Sequence, residues 1–101
     1  MLRMTLQDLI ARLEACADPI RAECATALHI YGSRARGDHR EDSDLDVFID
    51  YAPGSRFSLM NLAGIYNILS DSTGLPVSVT SRDSLHPKLR ADIERQAVRV
   101  F

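Results

Sequence analysis

The spacing of apolar residues predicts helices near both ends of this chain. Thr5 suits a helix N-cap, and Asp8 then lies near the positive end of the helix dipole. Apolar residues follow at helical spacing, at Leu6, Leu9, Ile10 and Leu13. Asp18-Pro19 is typical of a second helix start, because proline is tolerated at the first helical position. A last helix is predicted over 86–96, from a four-residue repeat of Leu85, Leu89, Ile93 and Ala97.

Short apolar segments in the middle of the chain predict strands. Residues 27–31 are apolar and end at Gly32, and residues 44–51 form a second apolar run. Between these strands we expect a helical turn over 33–36 and a loop over 37–43. In residues 75–80 apolar and polar side chains alternate, which indicates a half-buried third strand.

One more helix is predicted between the second and third strands. It covers about 58–70 and ends in a turn over 71–74. Its predicted apolar face consists of Leu59, Leu62, Ala63, Tyr66 and Leu69. The order helix, strand, turn, strand, helix, strand, helix is typical of a small α+β domain.

Length and charge limit the classes of protein to consider. The 101 residues fit one domain over 1–101, without a linker or a repeat. The formal net charge of -2 argues against strong direct binding of nucleic acid. The first ten residues lack the apolar core of a signal peptide, and no run reaches membrane-spanning length, so we expect the cytoplasm. Cys16 and Cys24 lack the spacing of a zinc or disulfide motif and are expected to be reduced.

The apolar tail has several uses that the sequence leaves open. It consists of Val98, Val100 and Phe101. These residues are suited to strand pairing or docking, and self-association and partner binding are both compatible with them.

Candidate chemistry is concentrated around the first two strands. Gly32-Ser33 follows a strand and opens a helical turn, where glycine admits a close ligand and backbone N–H groups bind phosphate. Asp44 and Asp46 are two residues apart, so in a strand they project from one face. Alone, each motif has an ordinary structural explanation, a tight turn or surface acids. Together they predict a site for Mg²⁺ and a nucleotide phosphate.

The segment from Gly32 to Asp46 resembles the signature of the DNA polymerase beta-like nucleotidyltransferase superfamily, and most closely its minimal nucleotidyltransferase branch. That signature is Gly-Ser, an Arg-Gly turn and then Ser-Asp-x-Asp, as in Gly32–Gly37 and Ser43–Asp46. The resemblance implies a small mixed β-sheet packed against helices. It also implies that Gly32 and Ser33 hold the nucleotide triphosphate.

The same resemblance assigns the catalytic and metal-binding roles to Asp44 and Asp46, with Mg²⁺ as the ion and ATP as the substrate. Arg36 and Arg34 are candidates to offset phosphate charge, and the alternative for each is an exposed turn residue. His29 is expected to pack in its strand, and His39 to have a structural role in its loop.

One residue departs from the family pattern. The family usually has a third Asp in the next strand, between two apolar residues, and here Ser78 stands in that position. A neutral hydroxyl is a poor Mg²⁺ ligand and a poor base. Asp71 and Asp83 on flanking turns are weak substitutes, so strong metal-dependent turnover is in question.

The resemblance implies an antitoxin that transfers AMP from ATP to a tyrosine of a HEPN-type ribonuclease toxin. A second interpretation is a non-catalytic nucleotide-binding module that neutralises its partner by direct contact, and Ser78 favours it. A third is a small-molecule nucleotidyltransferase whose acceptor site comes from an oligomer or a partner. A chain of 101 residues has little room for a separate acceptor domain, which favours a protein acceptor.

Overall fold

A four-stranded sheet carries the architecture of residues 4–101, which are the residues that the computed structural model describes. In chain order the elements are α1 (Leu6–Glu14), α2 (Ala17–Ala22), β1 (Ala25–Tyr31), α3 (Ser33–Arg36), β2 (Leu45–Tyr51), α4 (Leu59–Thr73), β3 (Val77–Ser81), α5 (Pro87–Gln96) and β4 (Val98–Arg99). A 3₁₀ turn, Arg82–Ser84, joins β3 to α5.

The sheet is mixed, with the strand order β3-β2-β1-β4. β1 pairs antiparallel with both β2 and β4, whereas β2 and β3 are parallel. The parallel pair requires a long crossover, which α4 provides. The predicted α+β class and the mixed sheet with helices are therefore confirmed.

One face of the sheet forms the core. Every second residue of a strand points to this face and packs against α1, α2 and α4. These strand residues are Leu28, Ile30, Leu45, Val47 and Ile49. The helices contribute Leu9, Leu13, Ile20, Ile65 and Leu69, all fully buried. Burial of each such side chain stabilises the fold by about 1.5–3 kcal/mol.

The first two helices begin close to where the sequence predicts. Thr5 caps α1 in a capping box with Asp8, because the side chain of each accepts a hydrogen bond from the backbone N–H of the other. α2 begins at Ala17, so Asp18-Pro19 lies within its first turn and two short helices abut. The prediction for the first ten residues includes residues 1–3, which lie outside the described residues. Within residues 4–101, no helix combines the length and apolar character needed to cross a membrane.

The helix before β3 differs from its prediction in two ways. It continues through the predicted turn to Thr73 and ends at Gly74, whose φ of 68° is left-handed. Thr73 is buried and donates its hydroxyl proton to the carbonyl of Leu69, so packing outweighs the turn preference of Asp71-Ser72. The predicted apolar face is confirmed at Leu69, which is buried, and at Leu62, which packs against the core. It is wrong at Leu59, which is 81% exposed, and at Tyr66, which is 42% exposed.

The other face of the sheet carries polar and aromatic side chains. Arg82 lies over the ring of Phe48, with its guanidinium carbon 4.9 Å from the ring centroid. The Arg82 guanidinium donates to both carboxylate oxygens of Asp50, at 2.7 and 3.0 Å, and also to Glu94 of α5. Buried His29 stacks on Phe48 and contacts Asp50 at 3.0 Å, as the packed role predicted for it requires. This ion network attaches α5 to the sheet.

The apolar tail pairs within the chain. β4 lies beside β1, the N–H of Leu28 donates to the Phe101 carbonyl, and the N–H of Val100 donates to the Leu28 carbonyl. Val100 is buried, so the prediction of strand pairing is confirmed. Because the tail pairs with β1 of the same chain, its apolar character is no longer a reason to expect self-association.

We predict that Arg82→Met lowers the free energy of unfolding by about 1–3 kcal/mol at pH 7, because it removes charge-assisted hydrogen bonds. The hydrogen bond from Arg82 is the main cause that lowers the pKa of Asp50 below its ordinary value. A carboxyl group whose pKa is lower in the folded state than in the unfolded state stabilises the fold at pH values above its unfolded-state pKa, near 4. This stabilisation is lost as the pH falls through the folded-state pKa.

The difference in the free energy of unfolding between wild type and Arg82→Met is therefore expected to be largest at pH 7 and smaller at pH 3. Urea denaturation at both pH values measures this difference. Arg95→Met removes only the exposed pair with Asp92 and serves as the matched control, with an expected change of at most about 1 kcal/mol. Equal losses for the two variants would contradict a structural role for Arg82.

Candidate functional site

Gly32 and Asp46 are in direct contact at the end of the β1–β2 pair. Tyr31, the last residue of β1, lies opposite Asp46 in the register. Gly32 follows with a φ of 75°, and a Cβ on it would lie 2.6 Å from Asp46 Oδ2. A side chain at this position is therefore excluded both by backbone conformation and by space. The glycine brings the Gly-Ser turn against the carboxylate.

Ser33 begins the short helix α3, as predicted. The amides of Ala35 and Arg36 both donate to the Gly32 carbonyl, and Gly37 ends the turn with a φ of 85°. The first N–H groups of a helix have no partner inside it and are available to an outside acceptor. The hydroxyl and backbone N–H of Ser33 therefore directly follow Gly32, the residue that contacts Asp46.

The two aspartates lie together at the start of β2. Asp46 is half-buried within the strand, whereas Asp44 is exposed and precedes the strand by one residue. The prediction that both carboxylates project from one face of a strand assumed that both residues lie in β2, and only Asp46 does. Burial, and then the charge of Asp44, raise the pKa of Asp46, while the charge of Arg36 lowers it. This pattern identifies a cluster of two repelling carboxylates and one guanidinium.

Arg36 lies at the border of this cluster. It is exposed, its Nε donates to Asp38 at 3.1 Å, and its Nη1 donates to Gln96 of α5 at 3.4 Å. The positive charge of Arg36 lowers the pKa of Asp46, against the stronger effect of burial. Arg36 is the last residue of the short helix that Ser33 begins, and its amide donates to the Gly32 carbonyl.

Arg34 has a different role from both alternatives considered for it. It is 2% exposed, and its guanidinium donates to three backbone carbonyls of the loop that leads to Asp44. The acceptors are Ser43 (from Nε at 3.1 Å and Nη2 at 3.0 Å), Glu41 (3.1 Å) and Arg40 (3.4 Å). Buried Arg34 therefore anchors the loop over 38–43 through its backbone carbonyls. No local sequence signal distinguishes it from Arg36, since both are arginines of the same short turn.

The loop held by Arg34 has an acidic surface. Asp38, Glu41 and Asp42 are exposed, as expected for a solvated loop. His39 is half-buried in the same loop, and its Nδ1 has no hydrogen-bond partner among the described residues.

Ser78 lies beside Asp46 in the sheet. The parallel register of β2 and β3 pairs the two residues directly, so the sequence alignment of Ser78 with the third acidic position agrees with the sheet. Ser78 is exposed on the same face as Asp46. Among residues 4–101 there is no group of three or more His, Cys, Asp or Glu suited to hold a metal ion.

The two weak substitutes for a third acid both lie away from the site. Asp83 accepts a hydrogen bond from the Tyr51 hydroxyl at 2.7 Å, at the far end of β2. Asp71 lies in α4, on the opposite face of the sheet. Neither completes the site.

Comparison with known proteins places this geometry in a family context. The family model described as "nucleotidyltransferase domain" matches residues 14–100. A Methanocaldococcus jannaschii protein provisionally named a protein adenylyltransferase is 36% identical over 73 residues, covering 71% of this chain and 72% of that protein. The protein adenylyltransferase MntA of Thermococcus cleftensis is 27% identical over 101 residues, covering 99% of this chain and 100% of its own length.

Solved structures agree with the fold. A structure provisionally named a minimal nucleotidyltransferase has a TM-score of 0.80 and 34% identity, covering 97% of this chain and 98% of its own. A toxin–antitoxin structure with AMP-PNP has a TM-score of 0.70 and 13% identity, covering 89% of this chain and 72% of its own. At that identity the second likeness bears on the fold alone.

We predict that Arg34→Met loosens the loop over 38–43 and lowers the free energy of unfolding by about 1–3 kcal/mol, since its carbonyl acceptors lose a charged donor. Hydrogen–deuterium exchange of the loop amides and urea denaturation measure the two effects. Arg34→Lys retains the charge but not the planar fork, so it should fall between wild type and Arg34→Met.

Arg36→Met is the matched control, because it removes the same group from the exposed side of the same turn. Its expected stability change is within about 0.5 kcal/mol, without faster exchange in the loop. Equal exchange in the two methionine variants would show that Arg34 does not anchor the loop.

Proposed function

Because this chain belongs to the nucleotidyltransferase domain family, we propose that it is a Mg²⁺-dependent protein adenylyltransferase that transfers AMP from ATP to a tyrosine of a HEPN-type toxin. The observation that carries the proposal is the contact between the Gly-Ser turn and Asp46, where a Cβ would lie 2.6 Å from the carboxylate. That contact joins a phosphate-binding type of turn to a carboxylate pair.

Asp44 and Asp46 fit one Mg²⁺ ion. Their oxygens are hard ligands, and Mg²⁺ is usually held by one or two carboxylates together with substrate phosphates. Burial, and then the charge of Asp44, raise the pKa of Asp46, and a bound cation would relieve the repulsion between the two carboxylates. When bound, the ion supplies charge neutralisation for the triphosphate.

The groups around the aspartates are suited to hold the nucleotide. Gly32 presents bare backbone, Ser33 adds a hydroxyl donor, and the exposed Arg36 adds a positive charge. Arg34 acts indirectly, by holding the loop that carries Asp44. In this proposal binding and orientation of the triphosphate are the main work of the chain itself.

A protein acceptor is supported by the names of the relatives. Both relatives compared above are named as protein adenylyltransferases. We further propose that residues 1–101 act as one nucleotidyltransferase domain in the cytoplasm. The acceptor then brings its own recognition surface, and the HEPN identity of that acceptor follows from the resemblance of the Gly32–Asp46 segment.

A second candidate function is neutralisation by binding alone. Ser78 favours it, because the site has two acidic residues where the family usually has three. The two functions predict different effects of removing the aspartates. Loss of the carboxylates would abolish an enzymatic antitoxin and would leave a binding antitoxin largely intact.

We predict that a HEPN partner gains one or more AMP units when it is incubated with this chain, ATP and Mg²⁺. Intact-mass spectrometry of the partner measures the gain. Asp44→Asn combined with Asp46→Asn should abolish it, because both proposed metal ligands become neutral. Asp42→Asn, an identical change on the exposed loop, is the matched control and should retain it.

Two results would contradict the proposal. An unchanged partner mass with a stable complex would establish the binding function in its place. A mass gain that survives the double substitution would separate the activity from these two residues.

A further inference from the structure

The order of the strands gives the site two distinct sides. Asp46 lies on β2, between β1 and β3. Gly32 and Ser33 follow β1, so the proposed triphosphate lies on the β1 side. Ser78 lies on β3, beside Asp46 and on the side away from the Gly-Ser turn. Adjacent strands are about 4.8 Å apart, so a side chain at 78 is a direct neighbour of the Asp46 carboxylate.

Sites with two metal ions use the second ion to activate the attacking oxygen, at about 3.5–4 Å from the first. The β3 side is where the attacking oxygen would approach, because the phosphates occupy the β1 side. A serine hydroxyl there is neutral and does not replace a carboxylate as ligand or base.

No other carboxylate substitutes for the missing one among residues 4–101. Asp50 is the next acid on this face of β2, and it is held by Arg82 and His29. Asp83 is bound by Tyr51, and Asp38 is paired with Arg36. The lack of a third free carboxylate on the β3 side therefore involves the whole sheet face and not only position 78.

We propose that this site binds a single divalent cation, held with the nucleotide by Asp44 and Asp46, and that Ser78 leaves the acceptor side without a second ion. The proposal deepens the proposed function and rests on it for the identity of the nucleotide. Among residues 4–101 no carboxylate stands beside Asp46 on the acceptor side to serve as a base. The phenol of the tyrosine acceptor proposed above has an ordinary pKa of about 10 and ionises more readily than an aliphatic alcohol.

The transfer step balances without a group from this chain. The phenol oxygen forms a bond to the α-phosphorus, the bond between that phosphorus and the bridging oxygen breaks, and pyrophosphate leaves. The phenol proton passes to solvent. No oxidant or further reactant is needed.

Counting bound Mn²⁺ ions tests the proposal without any turnover. Native mass spectrometry of the chain with Mn²⁺ and α,β-methylene-ATP, which resists cleavage at the bond in question, gives the number of ions per nucleotide complex. We expect one ion for the wild type and two for Ser78→Asp. Electron paramagnetic resonance adds a second readout, because a pair of neighbouring Mn²⁺ ions is spin-coupled and a single ion is not.

Two control variants separate position and charge. Ser78→Asn has the shape of the aspartate without its charge and should keep one ion. Thr80→Asp places the same charge on the same face of β3, two residues farther along, and should also keep one. Urea denaturation verifies that each variant is folded.

Two ions in the wild type, no ion in the wild type, or one ion in Ser78→Asp would each overturn the proposal. The partner-mass experiment distinguishes these failures from failure of the proposed function. One bound ion without AMP transfer would leave the single-ion site and remove the enzymatic function. Two bound ions with AMP transfer would do the reverse.

Discussion

The pairing of β1 with β2 is the constraint on which the site depends. Its register sets Tyr31 opposite Asp46, and the residue that follows β1 must then be one without a side chain. The same pairing directs Leu28, Ile30, Val47 and Ile49 into the core. A slip of one residue would exchange the two faces, so the hydrophobic core and the position of Asp46 are fixed by one set of hydrogen bonds.

Two arginines extend this arrangement beyond the strands. Arg34 holds the carbonyls of the loop before Asp44, and Arg82 holds α5 against the sheet through Asp50 and Glu94. Both use the planar guanidinium to reach several oxygens at once. The polar face of the sheet is therefore ordered by hydrogen bonds, whereas the opposite face is ordered by apolar packing.

The sequence predicts the parts of the fold that rest on local patterns, and the turn at 33–36 and the helix over 86–96 agree with the structure. The family resemblance, not a local pattern, aligned Ser78 with the third acidic position, and the sheet pairs Ser78 with Asp46. The extension of α4 to Thr73 was not predictable, because tertiary burial decides it against local turn preference. The role of Arg34 was not predictable either, because its acceptors are backbone carbonyls and any loop sequence supplies them.

The pairing of β4 with the outer edge of β1 has a consequence for biosynthesis. β1 is a central strand, yet its second neighbour consists of residues about seventy positions later in the chain. During translation that edge of β1 stays open until residues 98–101 have left the ribosome, and open edges are sites of wrong pairing. Pairing of β4 with β1 must therefore follow synthesis of residues 98–101.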